Sequence, residues 1–254
     1  MDDRHQKMFN EQEWYSEEVI NPLFIIPEYK EKRVLEIGCA EGGGLHYFER
    51  NGAACYGIEY SKSRYENAVQ QGKSLGIIII HGDILNPDTY NNKISEPFDY
   101  IIMRDVIEHV FDQESAMKNI KELLKPEGKL FISFPPKYSP FAGHQQNSSR
   151  TLSKLPFLHL LPTLLYRLFL MFVMEKKEKI DSFLEIKKTR ISINKFEGIL
   201  SRTKLKITLR NLYFIRPCFK YRWGLNRRIN IFGFIPIIRE IFTLGALYVI
   251  EKND

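Results

Sequence analysis

Three acids stand where apolar runs end. Glu36 sits inside VLEIG, Glu59 closes ACYGIE, and Asp83 closes IIIIHGD. Between the first and second acids lies the turn GCAEGGG (38–44), which supplies Gly38, Ala40, Gly42, Gly43 and Gly44 where a strand gives way to a helix. Small residues there let backbone N–H groups come close to a ligand, and the next helix starts with its free N–H groups facing the same place. A carboxylate such as Glu59, 21 residues past Gly38 at the end of a second strand, can accept two hydrogen bonds from a ribose diol. Asp83 can accept from the exocyclic amine of adenine. The three together describe a ligand that contains adenosine.

Which adenosine ligand is decided by charge. Read as G-x-G-x-x-G, Gly38, Ala40 and Gly43 match a dinucleotide fingerprint with one substitution, so a nicotinamide-dependent oxidoreductase stays open. Glu36, two residues before the first glycine, brings negative charge to the turn, and Asp83 adds more. That suits a cationic ligand better than a pyrophosphate. Two histidines are placed to act as a general base near neutral pH. His109, in EHV, falls on the predicted helix after the fourth strand, where packing is the competing role. His144, in YSPFAGHQQ, falls on a loop beyond the fifth strand, with Tyr138 nearby. Cys39, Cys55 and Cys218 are odd in number and lack metal-ligand spacing, so neither a disulfide framework nor a metal site is expected.

The elements that must position these residues alternate regularly. A helix is predicted over 10–24, with Asn10 as N-cap and Pro27 as its stop, and then a strand at 33–37 and a helix to about Asn51. The second strand is 54–60, and a helix from Ser61 to about Ser74 follows it. Strands at 77–84, 98–103 and 129–134 follow, the last two separated by a helix at 112–125 that Pro126 and Gly128 end. Five strands alternating with helices predict a doubly wound parallel α/β sheet. After residue 136 the pattern breaks, and it resumes with a helix at about 192–203 capped by Ser192, a strand at 205–214 and a last strand at 246–251.

This order of motifs resembles the class I S-adenosylmethionine-dependent methyltransferases of small-molecule type. The resemblance is carried by EIGCAEGG, GIEYS, HGDI, DYIIMRDVIEHV and LLKPEGKLFISFPP, and it covers residues 33–136. It implies a Rossmann-like seven-stranded sheet, mostly parallel with an antiparallel last strand, in a single domain over 1–254. Its cofactor half would be 30–136, with a substrate cap inserted at 137–190 and 215–243. It also implies that Glu36 and the Gly38–Ala40–Gly42 backbone hold the methionine part of S-adenosyl-L-methionine. Glu59 and Tyr60 would hold the ribose, and Asp83 and Ile84 the adenine. Arg104 and Asp105 would form the pocket floor, although Asp105 could equally cap a helix. Ala40 stands where the family usually has a second glycine. The segment from 134 onward is similar, more loosely, to bacterial methyltransferases of polysaccharide or lipid-linked glycan pathways.

Charge and apolar patterning bear on the acceptor. Residues 1–150 carry 17 Lys and Arg against 23 Asp and Glu, a net −6, whereas 151–254 carry 20 against 8, a net +12. Arg216, Lys220, Arg222, Arg227 and Arg228 are candidates for an anionic acceptor. The most apolar stretch, 152–174, contains Lys154, Pro156, His159, Pro162 and Arg167, which argues against a membrane span. It is expected to form a lid, a membrane-surface contact or a homodimer face. Aromatic residues among the 214–223 cations could stack RNA bases, so an RNA methyltransferase is an alternative, ranked below a small-molecule, sugar or lipid-linked glycan acceptor. A methyltransferase fold acting only as a binder is a further one. The polar, acidic N-terminus lacks a secretory pattern, which leads to the expectation of a cytoplasmic protein, at most peripheral to a membrane.

Overall fold

The computed structural model describes residues 3–24, 28–72, 75–148, 150–173 and 175–253. The predicted stop at Pro27, the helix end at Ser74 and the end of the apolar run at Met174 lie outside them. Eight strands form one sheet: β1 (Arg33–Ile37), β2 (Ala54–Glu59), β3 (Ile78–His81), β4 (Phe98–Arg104), β5 (Leu124–Phe134), β6 (Leu205–Ile215), β7 (Arg228–Ile229) and β8 (Gly245–Lys252). Their order is β3-β2-β1-β4-β5-β8-β6-β7. The five strands from β3 to β5 are parallel, and β8 enters antiparallel between β5 and β6. The eighth strand, absent from the seven-strand expectation, is the two-residue β7, antiparallel to β6.

Alternation along each strand builds two cores. Leu35, Ile37, Ile58, Ile80, Met103 and Ile132 face one side, while Val34, Cys55, Ile102, Phe131 and Leu247 face the other. Both faces are covered by helices, so the strands read as nearly unbroken apolar runs. Strand β5 begins at Leu124, earlier than predicted. Phe98 pairs with Leu124 and Tyr100 with Lys129, so Pro126 and Gly128 lie in a bulge that starts the strand.

The helices are α1 (Asp3–Tyr15), α2 (Asn21–Phe24), α3 (Gly43–Arg50), α4 (Lys62–Gly72), α5 (Gln113–Leu123), α6 (Thr163–Phe172), α7 (Lys177–Thr189), α8 (Ile193–Arg202), α9 (Cys218–Trp223) and α10 (Pro236–Phe242). Asp112 caps α5 by accepting from the Ser115 N–H (3.0 Å), and Ser192 caps α8 through the Lys195 N–H (3.1 Å). The first helix begins at Asp3, so Asn10 lies inside it and is not an N-cap. A π-turn at Ser16–Ile20 joins α1 to α2 and points Ser16, Val19 and Ile20 inward. The apolar stretch after 152 breaks into 3-10 turns at Leu152–Lys154 and Leu158–Leu160, and then α6. No helix among the described residues is long and apolar enough to cross a membrane.

Candidate functional site

The carboxyl ends of β1, β2, β3 and β4 open onto one cavity of about 390 Å³. Gly38, Glu59, Tyr60, Asp83, Ile84, Asp105 and His109 line it, joined by Ile37, Ile58, Arg64, Val106 and Phe111. Gly38 has φ +71°, and a Cβ there would lie 2.5 Å from Val106 Cγ2, so both conformation and space require glycine. Ala40 takes φ +48° without glycine's freedom, a conformation that costs on the order of 1–3 kcal/mol. Its N–H is held by Glu59 Oε2 (2.9 Å), while Glu59 Oε1 accepts from the Ser61 N–H (2.8 Å). Glu59 therefore ties the glycine turn to the end of β2 and keeps lone pairs for a ligand. Asp83 Oδ1 accepts from the Leu85 N–H (2.9 Å) in a similar way.

Six predicted site residues lie outside the cavity lining: Glu36, Ala40, Gly42, Arg104, Tyr138 and His144. Helix α1 packs on the far part of the glycine turn, at Gly43 and Gly44. Gln12 accepts from the Gly43 N–H (3.0 Å) and donates to Glu41 (3.1 Å), and Ser16 Oγ donates to the Gly44 carbonyl (2.8 Å). Arg104 lies over the buried Tyr15 ring at 4.6 Å. Burial raises the Glu36 carboxyl to about 8 despite the Arg104 charge, with Glu59 and Glu41 pushing the same way as burial. Its Oε2 is buried without a hydrogen-bond partner.

Asp105 caps no helix. It has φ +54°, and Arg216 Nη2 donates to both of its carboxylate oxygens at 2.6 Å. Burial works against ionisation there, but Arg216 and Arg104 prevail and hold the carboxyl below the usual range. The predicted helix through His109 is a 3-10 turn, Ile107–His109. The His109 and His144 rings meet edge to face, centroids 4.9 Å apart. Burial, then the neighbouring His109, lowers His144 to about 4, so it is neutral at pH 7 and weak as a base. Tyr138 is exposed with the Lys137 ammonium over its ring at 5.3 Å, and it does not line the cavity.

Some residues of the site escape a sequence reading. Arg216 is 111 positions from Asp105, and Arg222, which donates to Glu11 at 2.7 Å, is 211 positions from its partner. Both are candidates for an anionic acceptor in the sequence, and the fold pairs both with its own acids instead. Glu108, next to His109, is fully buried. Burial and the nearby Asp105 raise its carboxyl well above the usual range.

The sequence profile of a family described as "Methyltransferase domain" matches residues 6–161. A "Ubiquinone biosynthesis O-methyltransferase" of Actinobacillus pleuropneumoniae serotype 5b is 35% identical over 107 residues, 40% of this chain. The match spans 45% of that relative's length, less than half of it. A solved "S-adenosylmethionine-dependent methyltransferase" from Clostridium acetobutylicum superposes with a TM-score of 0.59 at 11% identity, covering 97% of this chain and 92% of the other. A magnesium protoporphyrin IX methyltransferase from Synechocystis, solved with bound SAH, gives 0.55 at 13% identity, covering 95% and 83%. These structures share the fold, and the profile match selects the methyltransferase reading over the dinucleotide one. The chain belongs to the methyltransferase domain family.

Proposed function

We propose that this chain transfers a methyl group from S-adenosyl-L-methionine to a hydroxyl of a small, lipid-tailed or glycan-bearing acceptor. The observation that carries the reading is the cavity where Gly38, Glu59, Asp83 and Ile84 meet at the strand ends. Glu59 takes the ribose hydroxyls, beside Tyr60, and Asp83 takes the adenine amine, with buried Ile84 against the ring. Glu36 and the Gly38–Ala40–Gly42 backbone hold the methionine part.

The residues fit that cofactor. Glu36 Oε2 is an acceptor without a partner, and a cationic amine complements it. A Cβ at Gly44 would lie 2.6 Å from the same carboxylate, so a missing side chain preserves its space. When bound, the cofactor supplies an electrophilic methyl group on a sulfonium. The chain then has to align an acceptor oxygen and exclude water. The docked α1 helix closes the glycine turn, and the Asp105–Arg216 pair fixes the loop after β4.

A hydroxyl acceptor is supported by the O-methyltransferase relatives, and a lipid-tailed one by the exposed apolar face of α6. Nucleic acid stays outside the proposal because Arg216 and Arg222 are committed to Asp105 and Glu11. Calorimetry with S-adenosylhomocysteine and with NADH tests the reading. Binding of the first and not the second is expected, and binding of NADH alone overturns it. Glu59→Gln should weaken S-adenosylhomocysteine about tenfold to a hundredfold, as expected for a lost charge-assisted hydrogen bond.

A further inference from the structure

Glu108, His109 and His144 form a cluster that the cofactor reading does not use. One ligating atom from each lies within 4.8 Å of the other two. Glu108 Oε1 stands 3.8 Å from His144 Nε2 and 3.9 Å from His109 Nε2. These gaps are too long for hydrogen bonds. They are close to the separation of two ligands on one small cation, since bonds of 2.0–2.1 Å at a tetrahedral angle leave ligand atoms about 3.4 Å apart.

Glu108 itself is fully buried, and neither carboxylate oxygen has a hydrogen-bond partner among the described residues. Ionised, it would be a buried charge offset by Arg216 alone and without a hydrogen bond; protonated, it would bury an O–H with no acceptor. A cation at the cluster removes both costs. Asp105, whose charge acts on Glu108, is already taken by Arg216.

The backbone holds the three residues in place. His144 has φ +55°, and Asp105, three residues before Glu108, has φ +54°. Strained positions on both sides of one cluster are typical of functional sites. The His144 loop is pinned by buried Gln145, which donates to the Pro140 carbonyl (2.9 Å) and meets His159 Nδ1 (3.2 Å). Arg190 and Lys187 in turn hold the His159 carbonyl at 3.1 and 2.7 Å. The turn that carries Glu108 is fixed by the His109 N–H to the Val106 carbonyl (2.8 Å).

We propose that Glu108, His109 and His144 bind a divalent first-row transition metal beside the cofactor cavity, and that the metal's remaining position takes the acceptor hydroxyl. Two imidazoles and one carboxylate are a donor set for zinc or iron(II), with coordination positions left open. His109 also lines the cavity, so the metal borders the space where transfer takes place. The acceptor role rests on the proposed methyltransferase activity; metal binding does not. A hydroxyl on the metal loses its proton to solvent more readily. Its oxygen pair then forms the C–O bond while the C–S pair returns to sulfur.

Chelator-treated full-length protein, titrated calorimetrically with zinc chloride, tests the site. One equivalent should bind, and Glu108→Gln and His144→Ala should each weaken it at least about tenfold. Cobalt(II) should give visible absorption bands that Glu108→Gln abolishes. S-adenosylhomocysteine binding, measured on the same samples, reports that each variant is folded. No zinc binding by protein that binds S-adenosylhomocysteine overturns the metal site, and so does zinc binding unchanged in both variants. Zinc binding that both variants lose, without any S-adenosylhomocysteine affinity in the parent, supports the site and overturns the cofactor reading instead.

Discussion

Glu36 is the residue whose environment has the widest consequences. Burial moves its carboxyl from 4.5 to about 8, so the fold keeps a proton that the unfolded chain releases above its ordinary value. In that window the native state binds the extra proton, so stability falls as pH rises from about 4.5 to about 8. Glu36→Gln removes the slope: in urea melts at several pH values, the variant should be less pH-sensitive than the parent, and equal slopes would refute the assignment. A cationic ligand beside Glu36 needs it ionised, so binding S-adenosylhomocysteine at pH 7 should release close to one proton. Buffers of differing ionisation enthalpy would show this in the binding heat. Glu36, Glu59 and Asp83 are legible in sequence because each is an acid placed where an apolar strand should continue or has just ended. Glu108 is not, because an acid beside a histidine after a strand looks like a solvated turn. Only the loop carrying His144, 36 residues later, shows that the turn is buried.

Among the elements, α1 packs its backbone most tightly onto the glycine turn at Gly43. Its polar sequence gives a weak apolar stripe, and its docking partner is a turn some thirty residues away. For that reason a sequence reading starts the helix seven residues too late. What holds it is close backbone approach: a Cβ on Gly43 would lie 2.3 Å from the Phe9 carbonyl oxygen. Gly43→Ala must therefore push α1 outward, loosening the Gln12 and Ser16 bonds to the glycine turn. Amides of residues 9–15 should exchange with deuterium faster in this variant while those of β4 and β5 stay protected. Unchanged exchange in α1 would mean that the helix is not held by this contact. The strands and the α5 and α8 helices are better placed from sequence, because apolar runs and the Asp112 and Ser192 caps are local signals.

The whole molecule separates a sheet legible from its alternating runs from an outer surface that is less so. The two-residue β7 carries no pattern of its own and exists only against β6. The apolar stretch after 152 announces itself, and Pro156 and Pro162 explain why it breaks before α6. What α6 leaves outside is specific. Tyr166 and Leu170 are buried, whereas Leu164, Leu168 and Phe172 recur at helical spacing and are 68%, 51% and 81% exposed. Lys154, Arg167, Lys176 and Lys177 are exposed around it. An apolar helical stripe flanked by cations is suited to the surface of an anionic bilayer. Sedimentation with vesicles of mixed zwitterionic and anionic phospholipid should recover the protein with the lipid. Replacing Leu164, Leu168 and Phe172 together by Ser should lower that partition at least about tenfold, given the apolar area removed. S-adenosylhomocysteine affinity should be unchanged, since none of the three lines the cavity. Parent protein that stays in the supernatant and sediments as a dimer, with the triple variant a monomer, would assign the face to a second copy of the chain.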